Sequence, residues 1–314
     1  MRPWKKEGEL MKRGNKAAVL FPVILLPVFL GLWMPEPLHG GGKAETEHFV
    51  VNDLDGRLTG EALERFAADA EAEFSKVVDF WSLPCNTEEN GKILLELKRA
   101  QGGKSFTVFQ IETGGEETRR VLRVQGIESP QELAHKMTHA LFPTGDKLIR
   151  NMMGIPTETR FGNPGSFPMC GCDLDAWVPV LIKTGDYIPL SELRPEHEEW
   201  GMTFKDKTPS VSDRKKQHAS YIEAGSFGSF LIRRFGIEKV KAFYQASLRH
   251  PRPWKKIFGL DLAGLEAEWL KTVSDFAREN AAQAAFLETL WKKNPARACY
   301  EAQDLTRKGD KPWR

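Results

Sequence analysis

The chain has 314 residues, of which 41% are hydrophobic and 28% are charged, so it can bury a sizeable core and is neither disordered nor fibrous. Its net charge is +2, but residues 1–16 alone contribute +4, which leaves −2 for the remainder. Because no basic patch stands out in that remainder, the composition argues against nucleic-acid binding.

An uncharged apolar stretch, Ala17–Met34, follows the basic start. As a helix it would span roughly 27 Å at about 1.5 Å per residue. A basic flank, an apolar run and a polar linker in this order are typical of an export signal or a membrane anchor. Residues 35–42 lack a clear small-x-small cleavage site, which slightly favours a retained anchor. The sequence therefore predicts a cell-envelope protein, membrane-anchored or exported, that contacts the membrane through this segment.

Export would place the four cysteines, Cys85, Cys170, Cys172 and Cys299, in an oxidising compartment where two disulfides can form. Four cysteines allow three pairings. A bond between Cys170 and Cys172 is disfavoured because one intervening residue gives poor disulfide geometry. A metal or redox role for Cys170-Gly-Cys172 is the less favoured alternative.

After a signal or anchor segment and Gly-rich linker over residues 1–44, the patterns predict an α+β subdomain over 45–128. A short strand at 48–51 precedes a helix that Thr59 caps and whose apolar positions, spaced by three and four, continue to Trp81. Three further strands are predicted at 92–98, 105–111 and 119–125, with Gly-rich turns between them.

From Ser129 onward strand signals nearly disappear, which predicts a helical subdomain over 129–273. Ser129-Pro130-Gln131-Glu132 is typical of a helix start with a capping box, and the helix should run to about Leu141. Later helices are predicted at 176–183, 217–234, 238–248 and 265–276. Residues 274–314 are predicted to form a C-terminal helix, at 276–290, and an exposed tail that Cys299 ties back. The expected fold class is α+β, a mixed sheet with one helix followed by a mainly helical lobe.

The segment His135-Lys136-Met137-Thr138-His139 carries two histidines four residues apart on a predicted helix. Their imidazoles project from one face and can reach a single ion about 2 Å from each nitrogen. This spacing alone is common by chance, so its surroundings decide how it is interpreted.

The ordered series of segments around this helix resembles the gluzincin zinc metallopeptidases, in particular the bacterial peptidase MA-like branch, whose active-site helix carries His-Glu-x-x-His. The strand at 119–125, just before the helix, corresponds in that resemblance to the substrate-binding edge strand. Segments 182–193, 221–236 and 258–269 resemble later family motifs in the same order. The resemblance covers residues 46–273 and implies a zincin-like fold in which His135, His139 and Glu158 hold Zn²⁺ and Tyr221 stabilises an oxyanion.

Two departures from the family bear on chemistry. Glu158 is followed by Thr159, where the family usually has glycine. Lys136 stands where the family has the glutamate that takes a proton from zinc-bound water. A protonated lysine cannot accept that proton, and its charge repels the ion. Asp173, Asp175 and Glu223 are fallback ligands, and His218 is expected to be solvated.

Two arrangements of the site remain open. Either zinc stays and Lys136 turns toward Glu223 or solvent, or the metal is lost and the Lys136 ammonium pairs with Glu158; the second is slightly favoured. The expected function is an inactive or impaired pseudopeptidase that binds a peptide or protein partner in the former cleft. The alternatives are an active zinc hydrolase with another general base, Glu132 or Glu223, and a membrane-tethered structural domain without a ligand.

Overall fold

The computed structural model describes residues 41–83, 91–100, 106–114, 117–127, 129–205 and 208–309. The apolar stretch Ala17–Met34 and Cys85 lie outside these ranges. Within them, no helix has the length and apolar character needed to cross a membrane.

A five-stranded sheet forms the first half of the chain. Its order is β1-β2-β3-β5-β4, with β2, β3 and β5 parallel and the two outer strands antiparallel to their neighbours. The expected α+β class with a mixed sheet is therefore confirmed. The strands are β1 (Lys43–Glu45), β2 (Phe49–Asp53), β3 (Ile93–Lys98), β4 (Phe106–Gly114) and β5 (Glu117–Gln125).

Helix α1 (Gly60–Phe80) connects β2 to β3 and contacts β1 and β2. Thr59 caps it as predicted, because its side chain accepts a hydrogen bond from the Ala62 backbone at 3.4 Å. One face of the helix is buried, as the apolar spacing predicted, and Leu63, Phe74 and Val77 on that face join the core that the sheet and the later helices share.

The strand at 119–125 does not lie at an edge, so this part of the resemblance is wrong. It forms β5, which pairs with β3 on one side through Leu94 and Val121 and with β4 on the other through Thr107 and Val124. The chain turns back after β4 and places β5 inside the sheet. The edge position belongs to β4.

The second half is mainly helical, but its first element differs from the prediction. Ser129 caps a 3₁₀ turn, Pro130–Leu133, by accepting from the Gln131 backbone at 3.4 Å, and the α-helix begins only at Ala134. The helices are α2 (Ala134–Leu141), α3 (Lys147–Phe161), α4 (Leu174–Thr184), α5 (Arg214–Phe235), α6 (Ile237–Ser247), α7 (Trp254–Phe258), α8 (Leu262–Glu279), α9 (Ala281–Lys293) and α10 (Ala298–Arg307).

Four predicted helices, at 176–183, 217–234, 238–248 and 265–276, correspond to α4, α5, α6 and α8. The sequence patterns missed α3, which contains Gly154 and Pro156. Pro156 has no N–H to donate to the Met152 carbonyl. Gly228 of α5 packs against that carbonyl, since a Cβ built on Gly228 would lie 1.9 Å from the Met152 oxygen. Also missed was the hairpin of β6 (Met202–Lys205) and β7 (Thr208–Val211).

The C-terminal region is more ordered than predicted. The helix expected at 276–290 is divided at Asn280 between the end of α8 and α9. The expected exposed tail contains α10, whose Ala298, Cys299 and Ala302 are buried. A disulfide joins Cys299 to Cys170 across 129 residues of chain, which confirms that the tail is tied back onto the domain. This is one of the pairings that the sequence left open.

We expect Cys299→Ser to lower the free energy of unfolding by about 2–4 kcal/mol, because the bond closes a long loop in the unfolded chain. Urea denaturation followed by far-UV circular dichroism measures the change. The unaltered protein with dithiothreitol should match the variant. An unchanged midpoint in both would show that this bond does not hold α10 in place.

Candidate functional site

Two adjacent helices, α2 and α3, assemble the candidate site. Helix α2 contributes the predicted residues His135, Lys136 and His139, of which the two histidines are buried. Helix α3 crosses α2. The residues that face α2 are spaced by four, three and four positions, and residues at these spacings share one face of a helix. That face carries Lys147, Asn151, Gly154 and Glu158.

The helices approach closely at Gly154. A Cβ built there would lie 2.3 Å from His135 Cδ2, 2.7 Å from His135 Nε2 and 3.0 Å from His139 Nε2. No side chain fits in that space, so glycine allows the two imidazoles to pack against the backbone of α3. The rings are perpendicular, with centroids 4.5 Å apart.

His135 takes part in a hydrogen-bonded chain along α3. Its Nε2 lies 3.2 Å from Asn151 Oδ1, and Asn151 Nδ2 donates to the Lys147 carbonyl at 2.9 Å. Because a carbonyl only accepts, the amide nitrogen must face Lys147 and the amide oxygen must face His135. His135 therefore carries its proton on Nε2 and donates it to Asn151.

Glu158 completes this chain at the other ring nitrogen, with Oε2 2.8 Å from His135 Nδ1. Burial raises the pKa of Glu158 to about 8, and the Lys136 charge opposes the rise. Burial also lowers the pKa of His135 well below its usual value, with Lys136 adding to that effect. A neutral His135 ring that is protonated on Nε2 has a lone pair at Nδ1, so the Glu158 carboxyl is the donor in that contact. We call the neutral chain of Glu158, His135, Asn151 and the Lys147 carbonyl the relay.

His139 is the second predicted ligand, and its Nε2 is buried without a hydrogen-bond partner among the described residues. Burial lowers its pKa well below the usual value, and the charges of Lys136 and Arg150 act in the same direction. A weak interaction of the ring with the Arg150 backbone opposes the shift. Its ring lies 6.5 Å from that of Phe109 on β4. The edge strand thus borders the histidine pair.

Lys136 does not form the expected direct ion pair with Glu158. In the part of the chain that the structure describes, no carboxylate oxygen lies within 4.0 Å of its amine, and Glu158 contacts His135 instead. The two side chains interact at longer range, since each shifts the pKa of the other toward its charged form. Burial is the larger effect and lowers the pKa of Lys136 to about 8.

The observed side chains do not present a zinc site. His135, His139 and Glu158 are not among the groups of three or more His, Cys, Asp or Glu in the described ranges whose ligand atoms all lie within 4.8 Å of one another. His135 Nε2 is engaged by Asn151, and the positive charges of Lys136 and Arg150 act on both histidines. This donor set does not fit a dication in the arrangement described.

Tyr221, the predicted oxyanion-stabilising residue, lies near the site without facing the histidines. Its hydroxyl donates to Met202 Sδ at 3.4 Å, and its ring packs 5.6 Å from that of Trp200. Burial raises the pKa of Tyr221, and the positive charge of Arg150 opposes the rise.

The fallback ligands are held elsewhere. Glu223 lies two residues after Tyr221 and so on the opposite face of α5, where it accepts from the Ile188 backbone at 2.9 Å. Asp173 caps α4, and Asp175 binds Ser226 at 2.5 Å and Arg233 at 2.7 Å.

The expectation that His218 is solvated is wrong. It is 2% exposed and lies on the inward face of α5, with ring centroids 5.1 Å from Trp177, 5.3 Å from Trp291 and 5.6 Å from Phe167. Burial lowers its pKa to about 3. The neighbouring lysines, which suggested an exposed turn, pair with surface carboxylates: Lys215 with Asp186 at 2.7 Å and Lys216 with Glu199 at 3.2 Å.

Sequence reasoning missed two cationic residues beside the histidines, Lys147 and Arg150 on α3. Lys147 is 2% exposed, with its amine 3.6 Å from Met202 Sδ and 5.2 Å from the Trp200 ring centroid. Burial lowers its pKa to about 7, and the charge of Arg150 adds to that effect. Nothing in the sequence singles out these residues unless α3 is recognised as a helix that crosses α2.

Comparisons of the chain with protein-family models, with curated proteins and with solved structures found no match. The function is therefore inferred from the site itself.

We expect Gly154→Ala to lower the free energy of unfolding by about 2–3 kcal/mol, because the added methyl group would overlap both imidazoles and separate α2 from α3. The matched control is Gly60→Ala at the start of α1, where a Cβ meets nothing within 4 Å. That change should alter stability by less than about 1 kcal/mol. Chemical denaturation measures both, and equal effects would contradict the close approach.

The buried His218 makes stability depend on pH. Between about pH 6.5 and 3 the unfolded chain binds a proton at this site and the folded chain does not, so stability falls as the pH falls through that window. We expect His218→Phe to reduce the slope of the unfolding free energy against pH by up to about 1.4 kcal/mol per pH unit. Urea unfolding at pH 6.5, 5.5 and 4.5 measures the slopes, which would coincide if His218 were solvated.

Proposed function

We propose that this protein is a cell-envelope pseudopeptidase, a zincin-like scaffold that binds a peptide or protein partner without hydrolysing it. The observation that carries the proposal is the neutral relay through His135, in which Glu158 and Asn151 occupy both ring nitrogens. A ring whose two nitrogens are engaged in this way is not available to a metal ion.

The absence of a suitable general base supports the proposal. In the gluzincin resemblance Lys136 stands where that base belongs, and with a pKa of about 8 it is mostly protonated at neutral pH, a form that cannot take a proton from water. Glu158 holds its proton against His135 near neutral pH, and Glu223 lies on the far face of α5. Losing a general base typically lowers the rate by about 10²–10⁴.

A partner surface is supported by β4. In the described part of the sheet this strand pairs with β5 alone, so its outer edge offers unpaired backbone donors and acceptors. An extended peptide can add to such an edge as a further strand. Phe109 places the edge beside His139, which would bring a bound chain to the histidine pair.

Localisation to the envelope rests on two features. The basic and apolar order of residues 1–34 is typical of an export signal or anchor. The disulfide between Cys170 and Cys299 is of a kind that persists in oxidising compartments.

An active zinc hydrolase remains the second candidate, because His139 Nε2 lacks a hydrogen-bond partner among the described residues. It requires His135 to exchange Asn151 for the metal and Glu158 to release its proton. Both changes would have to occur beside the Lys136 charge.

The test combines metal analysis with hydrolysis of fluorescein-labelled casein. We expect the purified full chain to contain far less than one zinc per molecule and to cleave no casein, with no change in His139→Ala. Stoichiometric zinc that is lost in His139→Ala, together with cleavage, would overturn the proposal and establish the hydrolase.

Lys136→Glu tests the electrostatic part of the argument. Replacing a positive charge by a negative one beside the histidines should raise zinc affinity at least about tenfold, because it removes Coulomb repulsion and adds attraction. Competition with a zinc-binding dye measures the affinity. The control is Lys255→Glu at an exposed position, where we expect no change. Equal affinities in both variants would show that Lys136 does not oppose metal binding.

A further inference from the structure

Three basic residues lie at the crossing of α2 and α3. Lys136 directly follows His135 on α2, and Lys147 and Arg150, three residues apart, lie on neighbouring turns of the same side of α3. The charge of Arg150 lowers the pKa of both lysines, and the charge of Lys136 lowers that of Lys147. The three groups are therefore close enough to repel one another.

These cations lack direct anionic partners. Among the described residues, the Arg150 guanidinium donates no hydrogen bond and its Nε is buried. The Lys147 amine contacts the Met202 thioether and the faces of Trp200 and Tyr221, which are weak substitutes for a carboxylate. Burying positive charge without a counter-ion is costly.

The neighbouring carboxyl groups already bind other partners. Glu158 Oε2 contacts His135 Nδ1 at 2.8 Å. Asp146 caps α3 through the Leu148 and Ile149 backbones and forms an ion pair with Arg252 at 2.7 Å. Both carboxyl groups, and Glu198 near Lys147, attract the cations only from a distance. An external anion would supply the missing charge.

The cluster can be reached from solvent. Lys136 and Arg150 are partly exposed, whereas Lys147 is buried next to them. A guanidinium offers a planar pair of donors that matches the two oxygens of a carboxylate or phosphate, and the lysines add point charges.

We propose that Lys136, Lys147 and Arg150 form a binding site for an oxyanion, a carboxylate or phosphate group carried by the ligand of this cleft. The inference rests on the proposed function, because it gives Lys136 a binding role where a peptidase needs a base. On that function the expected occupant is a carboxylate of the bound peptide. The site consists of three residues at one helix crossing and not an extended basic surface, which suits one small group.

The test is the thermal unfolding of the full chain with sodium acetate or sodium phosphate up to 50 mM, each compared with sodium chloride at equal ionic strength. We expect a saturable rise of about 3–6 °C in Tm. A rise with both salts supports a carboxylate ligand, and a rise with phosphate alone supports a phosphate ligand. No rise with either salt overturns the site.

Two variants separate binding from folding. Lys147→Met should raise Tm in chloride, because it removes a buried charge, and should lose the oxyanion-dependent rise. Arg150→Gln should lose that rise as well, whereas the exposed control Lys255→Met should keep it. A rise that persists in both site variants contradicts the inference.

The two proposals fail separately. Zinc-dependent cleavage together with an intact oxyanion response would overturn only the pseudopeptidase assignment. An absent response without zinc or cleavage would overturn only the oxyanion site.

Discussion

The close approach of α2 and α3 at Gly154 is the constraint on which the rest of the site depends. Because this residue has no side chain, both imidazoles lie directly against the backbone of α3, and His135 can reach Asn151 on one side and Glu158 on the other. The same contact removes these polar groups from water. Burial then favours the neutral form of each, so Glu158 keeps its proton and His135 stays uncharged.

Two electrostatic environments result within one helix crossing. The relay is neutral and satisfies its own hydrogen bonds, whereas Lys136, Lys147 and Arg150 lie beside it without direct counter-ions. Burial and mutual repulsion lower the pKa of both lysines. A dication would have to enter against these charges and displace Asn151 from His135. An anion would be attracted by these charges and would not need to displace Asn151. These charges and contacts support the proposed binding role over a catalytic metal centre. An unliganded site of this kind costs stability.

Local sequence patterns predicted much of the fold, because α1, α4, α5, α6 and α8 each bury an apolar stripe and the strands alternate or carry β-branched residues. They failed where long-range packing decides. Helix α3 contains Gly154 and Pro156, which hide the helical pattern that follows the Asp146 cap, and its contacts with α2 and α5 stabilise it. The resemblance predicted Glu158 beside the histidines but not its contact with His135 Nδ1, and Tyr221 packs against Met202 and Trp200 instead of facing the histidines. Lys147 and Arg150 could be recognised as neighbours of the histidines only from the position of α3 in the structure.

The most direct test of this account is the protonation state of His135, measured by long-range ¹H–¹⁵N NMR correlation on histidine-labelled protein, with His135→Gln for assignment. The relay predicts a neutral ring protonated on Nε2 at pH 7, with chemical shifts that do not change when EDTA is added. An Nε2 signal that is deprotonated and shifts on chelation would identify a metal ligand, and an imidazolium would identify an ion pair with ionised Glu158. Either result would contradict the relay.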